Sequence, residues 1–374
     1  MHGFALNVTA EPLRNLQRIY PCGADSDRIV TSLSEHMGID LPLEEVADDV
    51  AHSLGVAFRE SMRMTSPYEF GFYPAGKPQW VRKTVAHSPA LANTRALVKD
   101  AKLHTVCEEA RCPNLSECWS RGDATIMILG DTCTRSCGFC SVKTGRPPPL
   151  DWSEPSRTAR AVAHIPHSHI VITSVDRDEL SDNGSFIWRA TIAEIKKLSP
   201  EKTIEVLTPD FKGNETHIRF VLDAEPDVFA HNIETVRRLH HRVRPQAKYE
   251  RSLAVLALAR KHWLDPIVKS NIMLGFGESE GEVLDTVRDL RDAGVDILTI
   301  TQYLQPTRGH LPVVRYYSPD EFVRFKKAVE AIGIPVVVAG PLVRTSYRAG
   351  EAYAQMKRLL KERVPEPART DRTS

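Results

Sequence analysis

Six of the seven cysteines in this 374-residue chain fall between residues 107 and 140, in two triplets. The downstream triplet reads Cys133-Thr-Arg-Ser-Cys137-Gly-Phe-Cys140, and the upstream one Cys107-Glu-Glu-Ala-Arg-Cys112-Pro-Asn-Leu-Ser-Glu-Cys118. A secreted disulfide scaffold spreads paired cysteines through a short chain, whereas crowding of this kind belongs to metal or cluster ligation. A structural zinc site is normally closed by four ligands on paired CxxC knuckles, which the x3 and x2 spacing of Cys133, Cys137 and Cys140 does not supply. Three thiolates on a four-iron cluster leave one iron without a protein ligand, and an open iron can bind a substrate. Cys22 lies outside both triplets and reads as an ordinary thiol.

The elements that must position these cysteines come mainly after them. From Thr125 onward, short β-branched runs at 125–131, 169–175, 203–208, 227–232, 267–276, 296–303 and 334–340 alternate with helical patterns at 187–198, 252–263, 281–294 and 318–333. Ser318 and Glu321 form a capping box for the last of these helices. Strands separated by helices of this length mean βαβ units and a parallel sheet. Six or seven units predict a full or partial barrel, with functional residues at the C-terminal strand ends. Ser174 and Asp176 follow the second strand, Asn232 and Glu234 the fourth, and Gly275, Gly277 and Glu278 the fifth. All seven are expected in a ligand site, the glycines by allowing close backbone approach.

Val46, Val50, Leu54 and Phe58 recur every fourth residue and predict one amphipathic helix, followed by a Pro-, Gly- and aromatic-rich stretch at 66–80. The polar tail from 364 reads as disordered. Net charge is +1, so no global basic field argues for a nucleic-acid partner. No apolar run approaches the roughly 20 residues of a membrane span. The N-terminus lacks a basic start and a long apolar region, so the expected location is the cytoplasm.

The downstream triplet, with an aromatic before its third cysteine, resembles the signature of radical S-adenosylmethionine (SAM) enzymes. The upstream triplet resembles the auxiliary-cluster motif of the lipoyl synthase family. Further resemblance to that family runs from about Lys77 to Glu351 and includes VITSVDRDEL (171–180), FAHNIETV (229–236), MLGFGE (273–278) and GPLVRTSYRAGE (340–351). It implies an α/β fold: a partial (β/α)6-type TIM barrel with an N-terminal cluster-binding extension and a C-terminal segment. The expected division is 1–75, a divergent and partly helical extension; 76–122, the auxiliary [4Fe-4S] segment; 123–333, the barrel; and 334–374, the segment carrying a cluster-ligating serine.

The resemblance also implies a chemistry. Cys133, Cys137 and Cys140 would hold a [4Fe-4S] cluster whose open iron chelates SAM, with Phe139 near the adenine. Cys107, Cys112, Cys118 and Ser346 would hold a second, sacrificial cluster that donates sulfur. The product would be a lipoyl group, made by placing two sulfurs at C6 and C8 of a protein-bound octanoyl-lysine with two SAM consumed. Hydrogen on such saturated carbons is beyond any side-chain base, so a cofactor must carry the step. Implied partners are octanoylated lipoyl carrier domains (2-oxoacid dehydrogenase acyltransferase subunits or the glycine-cleavage H protein), a ferredoxin- or flavodoxin-type reductant and an iron–sulfur carrier. A basic run, Arg237, Arg238, Arg242, Arg244, Lys248 and Arg251 with His240 and His241, is either a solvated helix face or a docking surface for an acidic carrier. Two features depart from the family: the long N-terminal extension, and Thr345 where serine is usual. Two other readings stay open: an auxiliary-cluster enzyme acting on a small molecule, as in biotin synthesis, and a non-enzymatic iron–sulfur or zinc module.

Overall fold

In the computed structural model, the seven β-branched runs become the parallel strands of an eight-stranded sheet that carries the site on its strand ends. The structure describes residues 77–83, 88–262 and 265–363. The chain divides into Met1–Glu69 and Phe70–Ser374, and every described residue belongs to the second unit. The stretch from Val46 to Phe58 and the tail from 364 lie outside the described residues.

The strands are β1 (His104–Thr105), β2 (Thr125–Ile128), the short pair β3 (Thr132–Cys133) and β4 (Lys143–Thr144), β5 (His169–Ser174), β6 (Thr203–Leu207), β7 (Val228–Ala230), β8 (Ile267–Leu274), β9 (Ile297–Gln302) and β10 (Val336–Gly340). The main sheet runs β1-β2-β5-β6-β7-β8-β9-β10. All neighbours from β2 to β10 pair in parallel, while β1 joins β2 antiparallel. This is a partial barrel of parallel strands. Six lie within 123–333, and β10, from the segment that follows, adds a seventh.

Helices cross over between strands because each has one apolar face. Ser185–Leu198 buries Ile187, Trp188, Ile192 and Ile195, at the spacing that lines one side of a helix. Glu280–Asp292 and Pro319–Ile332 both start in capping boxes, at Ser279 with Glu282 and at Ser318 with Glu321. Gly333, at a left-handed φ of 110°, ends the second. Among the described residues no helix is long and apolar enough to cross a membrane.

The last helix, Ala349–Arg363, packs Ala352 and Met356 against Val228, Ile267, Ile297 and Val336. These are the first residues of β7 to β10, so the helix closes the end of the barrel opposite the strand tips. Between the strands sits a buried ion pair, Lys269 to Glu205 at 2.7 Å, with His169 Nε2 at 3.4 Å from the same carboxylate. Burial alone would raise the Glu205 carboxyl; Lys269 and His169 hold it below the ordinary range.

Candidate active site

β2 is buried throughout and ends in a turn through Leu129 and Gly130, both at left-handed φ, which carries the chain over the strand tips. The cysteine loop that follows is anchored by Arg135, which is 4% exposed. Its guanidinium donates to Asp178 at 2.7 and 2.8 Å and to Asp210 at 2.7 Å, and lies 3.3 Å from Asp176. Burial would raise the Asp210 carboxyl, but Arg135 pulls it well below the usual range. Burial pushes Asp176 up to about 6 against the pull of Arg135. The amides of Asp176 and Arg135 donate to Cys133 Sγ at 3.3 and 3.4 Å. His310 Nε2 donates to the Cys140 carbonyl at 2.9 Å, and Leu311 N to the Gly138 carbonyl at 2.9 Å. Any side chain at Gly138 would meet Leu311, its Cβ falling 2.8 Å from that side chain.

Cys133, Cys137, Cys140 and Phe139 border a cavity of about 410 Å³ at the strand tips, together with Ser174, Asp176, Asn232 and Glu234. Three polar atoms of its lining, Ser174 Oγ, Asn232 Oδ1 and Arg244 Nε, are buried without a hydrogen-bond partner. Unpartnered buried polar atoms on residues that line a void suit a polar ligand, which can supply the missing bonds. Asn232 and Asn271 donate to the two oxygens of Glu234 at 2.9 and 3.0 Å, and Glu234 itself holds a left-handed φ of 68°.

Gly275, Gly277 and Glu278 are not part of this lining. The Glu278 carboxylate accepts from the amides of Gly275 and Phe276 at 2.6 and 2.9 Å, and from the Tyr317 hydroxyl at 3.0 Å. All three residues build the turn after β8, and the carboxylate has no reach left for a ligand.

The upstream triplet is folded around two short helices. Thr105 caps Val106–Glu109, where Cys107 sits, and Cys118 lies on Leu115–Ser120. Cys112 N donates to the Cys107 carbonyl at 3.0 Å. The segment after β10 closes over them: Asn114 Nδ2 donates to the Leu342 carbonyl at 2.6 Å, and Tyr347 to Glu117 at 2.8 Å. Cys107, Cys112, Cys118 and Ser346 border a second void of about 50 Å³; all but Cys118 also border the large cavity. The Ser346 oxygen accepts from the Thr125 hydroxyl at 2.8 Å. The helix begins at Ala349, so Ser346 precedes it by two further residues. Thr345 accepts from Asn232 Nδ2 at 3.1 Å.

Burial pushes the Cys118 and Cys140 thiols up to about 12 and Cys133 to about 11. Thiolates at these places need a cationic centre to compensate them. Among the described residues no group of three or more His, Cys, Asp or Glu side chains converges on a point that would hold a single ion. Each triplet instead faces a void, as ligands to the separate corners of a four-iron cluster must. Three sulfurs at the large cavity, and three sulfurs with one oxygen at the small one, therefore fit two such clusters, the first open and the second closed by a hard, weaker ligand.

Sequence reasoning missed Arg135, Asn271 and Thr125, and read Arg244 only as part of a solvated or docking face. Only Arg135 had a signal, its place between the cysteines. The basic run disperses in the fold. Arg237 pairs with Glu250 and Asp289, Arg238 with Glu282 and Arg251 with Asp210. Arg244 turns inward and donates to the Asn232 carbonyl at 2.7 Å. Arg242 and Lys248 stay exposed.

A barrel whose first loop bears this triplet defines the class: the Radical SAM superfamily model matches residues 127–290, from β2 into the helix after β8. Lipoyl synthase of Rubrobacter xylanophilus is 54% identical over 285 residues, 76% of this chain and 88% of that one. Lipoyl synthase of Christiangramia forsetii is 50% identical, covering 73% and 93%. The mitochondrial lipoyl synthase of Nematostella vectensis is 49% identical, covering 73% and 94%. The chain belongs to the lipoyl synthase family. It is accordingly a sulfurtransferase of the radical SAM superfamily that uses S-adenosylmethionine and [4Fe-4S] clusters, one of them auxiliary.

Proposed function

We propose that this chain inserts two sulfur atoms at C6 and C8 of a protein-bound octanoyl-lysine, with Cys133, Cys137 and Cys140 holding the SAM-binding cluster and Cys107, Cys112, Cys118 and Ser346 the sulfur-donating one. The observation that carries the reading is the shared cavity, bordered by Cys133, Cys137 and Cys140, by Cys107 and Cys112 of the upstream triplet, and by Ser346. When bound, the clusters supply one-electron reduction of the sulfonium and the sulfur itself. The protein's part is to hold and orient. Ser174, Asn232 and Glu234 offer polar contacts to SAM, and Phe139 an aromatic face. Met127, Leu207, Met273 and Leu304 give the same cavity an apolar lining suited to an eight-carbon chain. Bringing both ligands into one enclosed space keeps a radical within reach of its target and away from water.

Lys77 and Arg111 border the cavity with exposed side chains and make no ion pair among the described residues. They favour an acidic carrier domain presenting the octanoyl-lysine there, in place of the dispersed basic run. A ferredoxin- or flavodoxin-type reductant and an iron–sulfur carrier complete the cycle, in the reducing cytoplasm. The test is anaerobic turnover of an octanoyl-lysine peptide with SAM and reductant. Product mass should rise in two steps as two sulfurs replace two hydrogens, with deoxyadenosine released at each. SAM cleavage without any thiolated peptide would reject this substrate.

A further inference from the structure

Thr345 lines the large cavity, next in the chain to Ser346, which borders both voids. Its hydroxyl accepts from Asn232 Nδ2 at 3.1 Å, and its chain neighbour Ser346 accepts from Thr125 at 2.8 Å. The same Asn232 Nδ2 also donates to Glu234 at 2.9 Å, and the Asn232 backbone carbonyl accepts from Arg244 at 2.7 Å. An amide group has two N–H donors and one carbonyl oxygen in a single plane, so engaging both donors fixes where the oxygen points. That oxygen, Asn232 Oδ1, is buried, has no partner, and belongs to a residue of the cavity lining. The aim of an acceptor on one side of the cavity thus depends on Thr345, one peptide away from Ser346 on the other.

We propose that Thr345 is a positioning residue that couples the two sides. A donor ligand on Asn232 Oδ1 holds the amide in place and, through Thr345, keeps Ser346 in register; release of Ser346 loosens the ligand in return. The ligand is SAM on the reading above, on which this inference rests. Coupling between binding sites is reciprocal, so each side must report the state of the other. The hydroxyl alone makes the link, which accounts for threonine serving where serine is usual in the family.

The experiment compares Thr345→Val, close in shape but without the acceptor, with Thr345→Ser in the reconstituted full chain. SAM affinity is measured by equilibrium dialysis, iron content by chemical assay, and deoxyadenosine released per thiolated peptide by mass spectrometry. Thr345→Val should keep the wild-type iron content, bind SAM about three- to tenfold more weakly, as loss of one neutral hydrogen bond predicts, and release excess deoxyadenosine per product. Thr345→Ser should restore both. Ser346→Ala should weaken SAM binding in the wild-type background and add nothing to Thr345→Val. Wild-type affinity and product ratio in Thr345→Val overturn the coupling alone, and loss of iron by that variant marks a structural role and overturns it as well. A wild-type enzyme that fails to bind SAM overturns the functional reading together with the coupling.

Discussion

Cys137 lies in the loop after β2 and Cys112 in the segment before it, on separate backbone supports. Their replacements should therefore have separable effects. Cys137→Ala is expected to abolish deoxyadenosine formation while about four irons per chain remain, and Cys112→Ala to release deoxyadenosine without thiolated product. Iron analysis and product mass spectrometry read both; thiolated peptide from Cys112→Ala would refute the sulfur-donor assignment. As the proposed fourth ligand, Ser346 would be of a different kind, a hard oxygen where the other positions are soft sulfur, suited to a bond that opens during turnover. Ser346→Ala should keep cleavage at saturating SAM but lose most sulfur insertion; full lipoyl formation at the normal rate would leave only its hydrogen bond with Thr125. These cysteines were legible because ligand spacing along a chain survives any fold. Asn232 and Glu234 were legible as strand-end polar residues, but the links Asn232 makes to Thr345 and Arg244 were not, since they join positions 113 and 12 residues apart.

The seven parallel strands were all visible as β-branched runs, and so was the capping box of Ser318 with Glu321, because these are local signals; the equally local box of Ser279 with Glu282 went unread. The helices Pro89–Asp100 and Glu154–Ala163 were harder to see. The first buries only Leu91, Thr94 and Val98, and the second turns Glu154 inward, where its carboxylate accepts from Leu129 N at 2.7 Å. The turn after β8 shows the limit of the strand-end rule, since its glycines and Glu278 serve the backbone. A Cβ at Gly275, already at φ 123°, would lie 2.5 Å from Gln302 Nε2 and 2.9 Å from the Arg315 carbonyl. Gly275→Ala should therefore cost about 1–3 kcal/mol of stability, seen as a lowered melting temperature, while SAM affinity in the folded enzyme stays near wild type. A large loss of affinity with an unchanged melt would return the glycine to the binding site.

At the scale of the whole molecule, a buried histidine makes the barrel interior sensitive to acid. His231 donates from Nδ1 to the Thr208 carbonyl at 2.9 Å and accepts at Nε2 from Ser252 at 3.0 Å; burial, helped by Arg244, pulls it from 6.5 down to about 4. An unfolded chain takes up this proton below about pH 6.5 and the folded one only near 4, so stability falls across that window and is unaffected above it. His231→Asn should flatten the dependence of urea stability on pH between about 4.5 and 6.5; an unchanged slope would assign it to other groups, His240 first, which burial lowers to about 3. The helix Ala349–Arg363 bears on turnover in another way. The link from Gly340, at the end of β10, to Ala349 holds Ser346 between two fixed posts, a paired strand and a helix seated on the starts of four others. On the proposed ligation, release of the serine oxygen would leave the segment little distance to travel and require nothing else to unfold. The enzyme is thus a socket with a replaceable part: each product spends the insert, the mounting survives, and the lifetime of the protein is set by how often it can be reloaded.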